Sequence, residues 1–369
     1  MRRAQADATR RGAHVTDAAG PGESNRPPPA SPAAAANDVP ASAIPVVPGL
    51  VSVVMPMRNC EAYVDAALRS ILAQHGVDLE VVVVDDGSTD RSADVVRSVG
   101  DPRVRMIPGP RAGIAAALNA GLAVARGEFF ARCDADDLYA PDHMAPQLAL
   151  LRERPEFGAV AGAFTYVNEA GEQIAAKRWN PSAEEITDEL RSGVGRTHLG
   201  TFVVRMEHLR RLGGFRPYFV GTEDADFQLR LGEVCRVWWE PRPAYVYRLH
   251  GASITHTQPS AERRFLDRMA RQFQKQRLAT GQDDLMRGCP PKPPPKDASN
   301  QGGGRAVAMS TDAQVQKLLL GQAWDAHRAG RRGEALRTAW RACVGRPGNL
   351  SAWKSLAALA IKPARPARP

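Results

Sequence analysis

Glu80-Val-Val-Val-Val-Asp-Asp-Gly-Ser-Thr-Asp90 is the stretch on which the fold turns. Four consecutive valines leave no polar face, so this strand is covered on both sides, as strands of helix-flanked parallel sheets are. It ends in a turn that leads to a helix start near Asp90. Upstream, Val51 to Met55 reads as a short buried strand, and Glu61 to Gln74 as a helix with Tyr63, Val64, Ala67, Leu68, Ile71 and Leu72 at helical spacing. Downstream come a strand at Val104 to Ile107, a helix at Ile114 to Ala125, a strand at Glu128 to Cys133 and a helix opened by Pro141 and running to about Arg154. Strands alternating with helices predict βαβ units on a largely parallel sheet, a Rossmann-like half. After Gly158 the pattern is mixed, with strands near Ala159 to Ala163, Thr201 to Val204, Val234 to Trp239 and Ala244 to Arg248, and a helix over Glu223 to Gly232.

Length and composition bound the rest. The chain has 369 residues, 43% hydrophobic and 24% charged, enough for a packed body of one to two domains. Residues 1–50 carry five basic and four acidic side chains and residues 287–369 carry fifteen and four, so the +9 net charge belongs to the C-terminal segment and residues 51–286 are net negative. Such a tail binds anionic lipid or nucleic acid, or simply keeps a protein soluble. No run of about 18 apolar residues occurs, which predicts no transmembrane helix, and residues 1–47 lack the apolar segment of a secretory signal. Cys60, Cys133, Cys235, Cys289 and Cys343 include no Cys-x-x-Cys pair, so neither a zinc knuckle nor a complete disulfide framework is expected and a reducing cytoplasm fits.

The expected organisation is a disordered extension over 1–48, an α/β domain over 49–286, a Pro-, Gly- and Lys-rich linker over 287–310, a helical unit over 311–361 and a disordered basic tail over 362–369. The helical unit divides into Val315 to Ala329, Gly333 to Cys343 and Leu350 to Ile361. Its placing of Ala323, Gly330, Ala335, Pro347 and Trp353 resembles one tetratricopeptide-type unit. A lone repeat cannot bury its own apolar face, so it must dock on something. Trp324, Trp340 and Trp353 fall at spacings that suit packing better than stacking on bases, and no nucleic-acid partner is expected.

Three acidic clusters stand at strand ends or a helix start, where ligands bind in open α/β sheets. They are Asp85-Asp86, Asp134-Ala-Asp-Asp137 and Glu223-Asp-Ala-Asp226. Each has a plain alternative. Asp85-Asp86 with Ser88, Thr89 and Asp90 suits a turn and helix cap. Glu223 and Asp224 suit the first turn of a helix with Thr222 as its N-cap. The second cluster is harder to dismiss, because carboxylates packed this closely repel unless a cation neutralises them. Hard oxygen ligands suit Mg²⁺ or Mn²⁺ shared with substrate phosphates.

Six segments together carry a resemblance. Val51-Ser-Val-Val-Met-Pro-Met-Arg-Asn-Cys-Glu61, Val84-Asp-Asp-Gly-Ser-Thr-Asp90, Gly113-Ile-Ala-Ala-Ala-Leu-Asn119, Ala131-Arg-Cys-Asp-Ala-Asp-Asp137, Glu223-Asp-Ala-Asp-Phe-Gln-Leu-Arg230 and Tyr247-Arg-Leu-His-Gly-Ala-Ser253 resemble, in order and spacing, the family 2 glycosyltransferases with the GT-A fold. The resemblance implies an α/β GT-A domain with a mixed central sheet, to which the helical unit is an extension. It also implies an inverting transfer from a nucleotide-diphosphate sugar, UDP-linked by default and dTDP-linked as the alternative, to a glycan or lipid-linked acceptor. Pro56, Arg58 and Glu61 would border the nucleotide base and Asp86 would accept a hydrogen bond from it. Asp134 would face the ribose and the metal, Asp136 would ligate Mn²⁺ or Mg²⁺, and His250 would approach the metal or diphosphate. Asp224 resembles the general base, with Glu223 as the fallback. Arg248 reads as a diphosphate partner or as an ordinary salt bridge. Leu118 stands where several relatives carry a basic residue, which leaves Arg111 and Arg132 as candidates for the donor phosphates.

Other nucleotide-handling enzymes fit poorly. Pro56-Met-Arg-Asn-Cys-Glu61 occupies the place where a nucleotidyltransferase or a dinucleotide oxidoreductase needs a glycine-rich loop, and a receiver-type domain would carry its acid pair after the first strand. The remaining alternative is a catalytically weak glycosyltransferase-like adaptor acting through its basic helices. The expected setting is surface-polysaccharide synthesis in the cytoplasm, with peripheral contact at the anionic inner face of the plasma membrane. Donor and acceptor choice would lie in the region between Phe164 and Thr201.

Overall fold

The computed structural model describes residues 45–176, 181–251, 260–293 and 310–363. The expected disordered segments, apart from their innermost residues, most of the 287–310 linker and the end of the last quoted motif lie outside them. All described residues belong to one unit, Asn37–Pro369. The chain runs β1 (Val47–Met57), α1 (Val64–Leu72), β2 (Leu79–Asp85), α2 (Ser92–Ser98), β3 (Val104–Pro108), α3 (Ile114–Val124), β4 (Gly127–Arg132), β5 (Leu138–Tyr139) and α4 (Met144–Glu153). It continues with β6 (Phe157–Val167), β7 (Gln173–Ala176), β8 (Glu184–Glu185), α5 (Thr187–Arg191), β9 (Val203–Arg205), α6 (Met206–Arg211), α7 (Glu223–Val234), β10 (Arg236–Arg248) and α8 (Ser260–Thr280). Three further helices follow: α9 (Thr311–Arg328), α10 (Arg332–Gly345) and α11 (Leu350–Ile361).

One sheet organises the body, with strand order β3-β2-β1-β4-β9-β6-β10-β5; β7 pairs with β6 and β8 with β10. The β3-β2-β1-β4 half is parallel, and β9 runs antiparallel between β4 and β6. The valine run of β2 shows why. Val81 and Val83 join one core with α1 and α4, while Val82 and Val84 join a second core with α3. Both faces are dry, which requires helices above and below.

Two expectations change. Val234 to Trp239 and Ala244 to Arg248 belong to one strand, because the register against β6 shifts around Pro243 instead of ending there. A shift of register tolerates a residue with no N–H to donate. Helix α4 begins at Met144, since Asp142 adopts φ 55° and breaks the helical path after Pro141. Helix α8, whose Phe265, Leu266, Met269, Ala270 and Phe273 carry a helical period, is an addition to the sequence reading; these residues pack with Phe219 and Leu229.

A buried ionic network fastens α8 to α7. Asp226 accepts from Arg230 Nε at 2.8 Å and from Arg216 Nε at 3.0 Å, and Arg216 Nη1 reaches Asp283 at 2.6 Å. Arg277 on α8 completes it by bonding Glu233 at 2.7 and 2.9 Å and pairing with Asp283. Burial opposes the charge on Asp226, but Arg230 and Arg216 outweigh it and hold the carboxyl below its ordinary range. Removing one member strands the others without water, which costs about 3–5 kcal/mol. Asp226→Ala is therefore expected to lower stability by that amount in urea unfolding, and a loss below 1 kcal/mol would mean the network is structurally idle.

Candidate active site

The site forms where the parallel strands end. The loops after β1 and β2 are laced together: Asn59 N–H donates to Ser88 Oγ (3.1 Å), Thr89 N–H to Asn59 Oδ1 (2.8 Å), Cys60 N–H to Ser92 Oγ (2.8 Å) and Glu61 N–H to Asp90 Oδ2 (3.1 Å). Asp85 accepts from Ser88 N–H at 2.8 Å. Asp85 thus serves the turn, while Ser88 and Asp90 tie the loop after β2 to the loop after β1, and α2 has no side-chain cap bond at Arg91. Asp86 does something else: buried, it accepts Arg111 N–H at 2.6 Å and Gly113 N–H at 3.0 Å and so draws the loop after β3 over the end of β2. Gly109 permits this approach, because a Cβ there would lie 2.8 Å from Asp86. Each Asp86 oxygen retains a lone pair for a further donor.

Pro56 is buried at the end of β1 opposite Val84, and Arg58 is exposed in the following loop. Glu61 already accepts Arg91 N–H at 2.9 Å at the start of α2. Arg111 is exposed, with its side chain alongside Gly87.

The second cluster separates into three roles. Both oxygens of Asp134 are gripped by Arg132, at 2.7 and 3.0 Å. Asp136 Oδ2 meets His250 Nε2 at 2.8 Å. Asp137 is buried and accepts Arg248 N–H at 2.7 Å; burial pushes its carboxyl well above the usual range, and the charges of Asp136 and Asp134 add to the push. The Arg248 guanidinium donates to the backbone oxygens of Asp136 (3.0 Å) and Glu169 (2.8 Å) and lies over the Tyr63 ring, so it is spent on holding the loop. The Cys60 thiol, pushed up to about 12 by burial and then by Asp136, stays protonated beside this group.

Arg132 joins the second cluster to the third. It is only 3% exposed, and its Nη1 donates to Glu223 Oε1 at 3.0 Å while Nε and Nη2 hold Asp134. This departs from its expected place facing donor phosphates: the five N–H groups of a buried guanidinium must find internal acceptors, and Asp134 just after β4 and Glu223 on α7 supply them. Glu223 is buried and Asp224 is half-exposed at the start of α7. Thr222, expected to cap this helix, makes no side-chain cap bond, and its hydroxyl is buried without a partner.

His198 is a residue that the sequence reading passed over, having no motif around it. Its ring stacks on Tyr245 at 5.0 Å, and its Nδ1 accepts Gly200 N–H at 3.1 Å. Tyr245 in turn accepts Asp134 N–H at 3.0 Å. Burial lowers the His198 pKa, more than the nearby Asp134 charge raises it, so the ring is held neutral.

A divalent cation fits one part of this arrangement. The Asp136 carboxylate and the His250 imidazole already converge, and such ions take one or two protein ligands plus phosphate oxygens and water. Asp134, expected as a further ligand, has both oxygens committed to Arg132. Among the described residues no group of three metal-ligating side chains is gathered.

Comparison with known proteins places these residues in context. Residues 52–213 match the model of glycosyl transferase family 2. Over those residues the chain carries a family 2 glycosyltransferase domain. Over 205 residues it is 32% identical to a chondroitin synthase of Pasteurella multocida, a match covering 55% of this chain and 21% of that protein. It is also 32% identical over 222 residues to the uncharacterized glycosyltransferase EpsJ of Bacillus subtilis, covering 56% of this chain and 63% of that one. The chain thus spans about a fifth of the synthase's length. Among solved structures, S. aureus TarS 1–349 in complex with UDP-GlcNAc has a TM-score of 0.51 at 16% identity, covering 84% of this chain and 91% of that one. The GT-A fold is shared.

The carboxylates of α7 differ in kind. Burial, partly offset by Arg132, pushes Glu223 up to about 7 from an ordinary 4.5. The folded protein therefore binds more protons than the unfolded chain between those values. The resulting stability is present below about 4.5 and is lost as the pH rises through about 7. Glu223→Gln, which keeps an acceptor for Arg132, is expected to remove that decline in urea midpoints measured across this range. An unchanged slope would place the ionised form in the folded state.

Proposed function

We propose that the protein transfers a sugar, with inversion, from a nucleotide-diphosphate sugar to a hydroxyl of a glycan or lipid-linked acceptor during surface-polysaccharide synthesis. The observation that carries this reading is the convergence, beyond the ends of β1, β2 and β4, of Asp86, the Asp136–His250 pair and the α7 carboxylates. The complex of TarS with UDP-GlcNAc and the name of the chondroitin synthase relative support a UDP-sugar donor and a polysaccharide product.

Asp86 accepts the imide N–H of a pyrimidine base with its free lone pair, while Pro56 and Arg58 border that base. Asp136 and His250 hold Mn²⁺ or Mg²⁺, which when bound neutralises charge developing on the departing diphosphate. Arg111, exposed beside Gly87, is the cation open to the donor phosphates. Asp224, the half-exposed member of its pair, takes the proton from the acceptor hydroxyl, and Glu223, locked on Arg132, positions it. One in-line displacement at the anomeric carbon inverts its configuration, and no covalent nucleophile is needed. The adaptor reading lacks a comparable observation.

The extension supports peripheral contact with an anionic membrane. Trp340 and Val344 are each 55% exposed on α10 and Leu350 is 73% exposed on α11, alongside Arg337, Arg341 and Lys354. Apolar and aromatic side chains flanked by cations suit the interface of an anionic bilayer. Among the described residues no helix is long and apolar enough to cross one.

In calorimetry, UDP is expected to bind with Mn²⁺ present and not without it, and Asp136→Ala should abolish that binding. Asp224→Asn should keep UDP affinity while transfer to an oligosaccharide acceptor falls by ~10²- to 10⁴-fold in kcat. Absence of nucleotide binding under every condition would overturn the catalytic reading. In vesicle sedimentation at low salt, the full chain should pellet with anionic vesicles and a Trp340→Ser, Leu350→Ser variant should pellet less. Full-length protein left in the supernatant would rule out membrane contact.

A further inference from the structure

We infer that the three-helix extension is a clamp on the strand end that presents His250, so that docking of α9 and α10 and occupancy of the donor site are thermodynamically linked. This deepens the reading of Asp136 and His250 as the cation-holding pair and rests on it.

The observation is the place of Leu249. Chain alternation at the end of β10 sends Arg248 and His250 to one side and Leu249 to the other. On the first side, Arg248 and His250 make the bonds to Asp136 and Asp137 described above. On the second, Leu249 is buried in a small apolar cluster with Ile174 of β7, Leu319 of α9 and Ala342 of α10, ringed by Tyr166, Tyr247, Val315 and Leu318. Leu249 N–H extends the strand ladder by donating to Val167 O at 2.9 Å, and Arg341 of α10 donates to Ile174 O at 3.4 Å. Leu249 is thus a positioning residue whose packing partners include Leu319 and Ala342 of the extension, one residue from the imidazole that meets Asp136.

The extension also has a core of its own, where Ala323, Ala339 and Leu359 pack together; Leu320 borders both clusters, but Leu319 and Ala342 are buried only in the one with Leu249. The α9–α10–α11 unit can therefore keep its fold while its grip on Leu249 changes. If that grip narrows the positions open to His250, releasing it weakens cation and diphosphate binding. By reciprocity, binding at the site tightens the docking of α9 and α10 by the same factor.

The test uses the full chain with Mn²⁺ and UDP as probes. Leu319→Ala is expected to weaken Mn²⁺-dependent UDP binding by calorimetry about fivefold or more, the usual lower range of coupling between sites, and Leu319→Met, which conserves volume, should restore it. In the unaltered protein, Mn²⁺ with UDP should slow amide hydrogen exchange across residues 311–345, which lie outside the binding site. Ile361→Ser, a change at an exposed position at the end of α11, should alter neither readout. Equal affinity in Leu319→Ala together with unchanged exchange in α9 and α10 on ligation would overturn the clamp while leaving the donor site standing. Failure of the unaltered protein to bind UDP with Mn²⁺ would overturn the donor-site reading itself, and the linkage with it.

Discussion

Five carboxylates, at positions 134, 136, 137, 223 and 224, gather around the end of β4, where little water is left to screen them. A low-dielectric region cannot hold such a cluster unless a cation compensates it or some members stay protonated. Both solutions are used. Arg132 is driven inward between Asp134 and Glu223, and burial keeps Asp137 and Glu223 toward their protonated forms. Asp136 and Asp224 keep more contact with solvent than Asp137 and Glu223. The division of labour follows from access to solvent and to Arg132, since the side chains are nearly identical.

The same economy governs the loops. Ser, Thr, Asn and Asp side chains satisfy the backbone N–H groups exposed where strands turn into helices, and here they do so across two loops as well as within one. That lacing sets the height of α1, and with it Tyr63, whose ring touches both His250 and Arg248. The loop after β1, the loop after β2 and the end of β10 therefore meet at one place although they lie almost 200 residues apart in the chain.

Legibility varied with the kind of signal. The βαβ half was readable from the valine run and the helical periods around it, because burial on both faces leaves a pattern that few other environments produce. Helix α8 carried a helical period too, but its charged residues disguised it; Arg277 is spent on a network whose other members lie on α7, near Gly214 and in the turn after α8. The two prolines of β10 read as a break, yet a shift of register absorbed them. Among the candidate site residues, Asp86 follows the end of β2 and Asp136 meets His250 beyond the ends of β4 and β10. Arg132 and Asp134 answer to each other first, and His198 had no motif to announce it.

By itself the sequence determined which residues are apolar at which period, and hence the parallel half, the acidic clusters at strand ends and the order of the family motifs. Those are local properties, set by strand and helix geometry. Only the tertiary structure decided which carboxylate faces a guanidinium, which faces an imidazole and which is left open, because solvation and charge pairing depend on neighbours distant in the chain. It also decided that the extension reaches Leu249, since an apolar helix face records that it needs a partner and not which partner it will find.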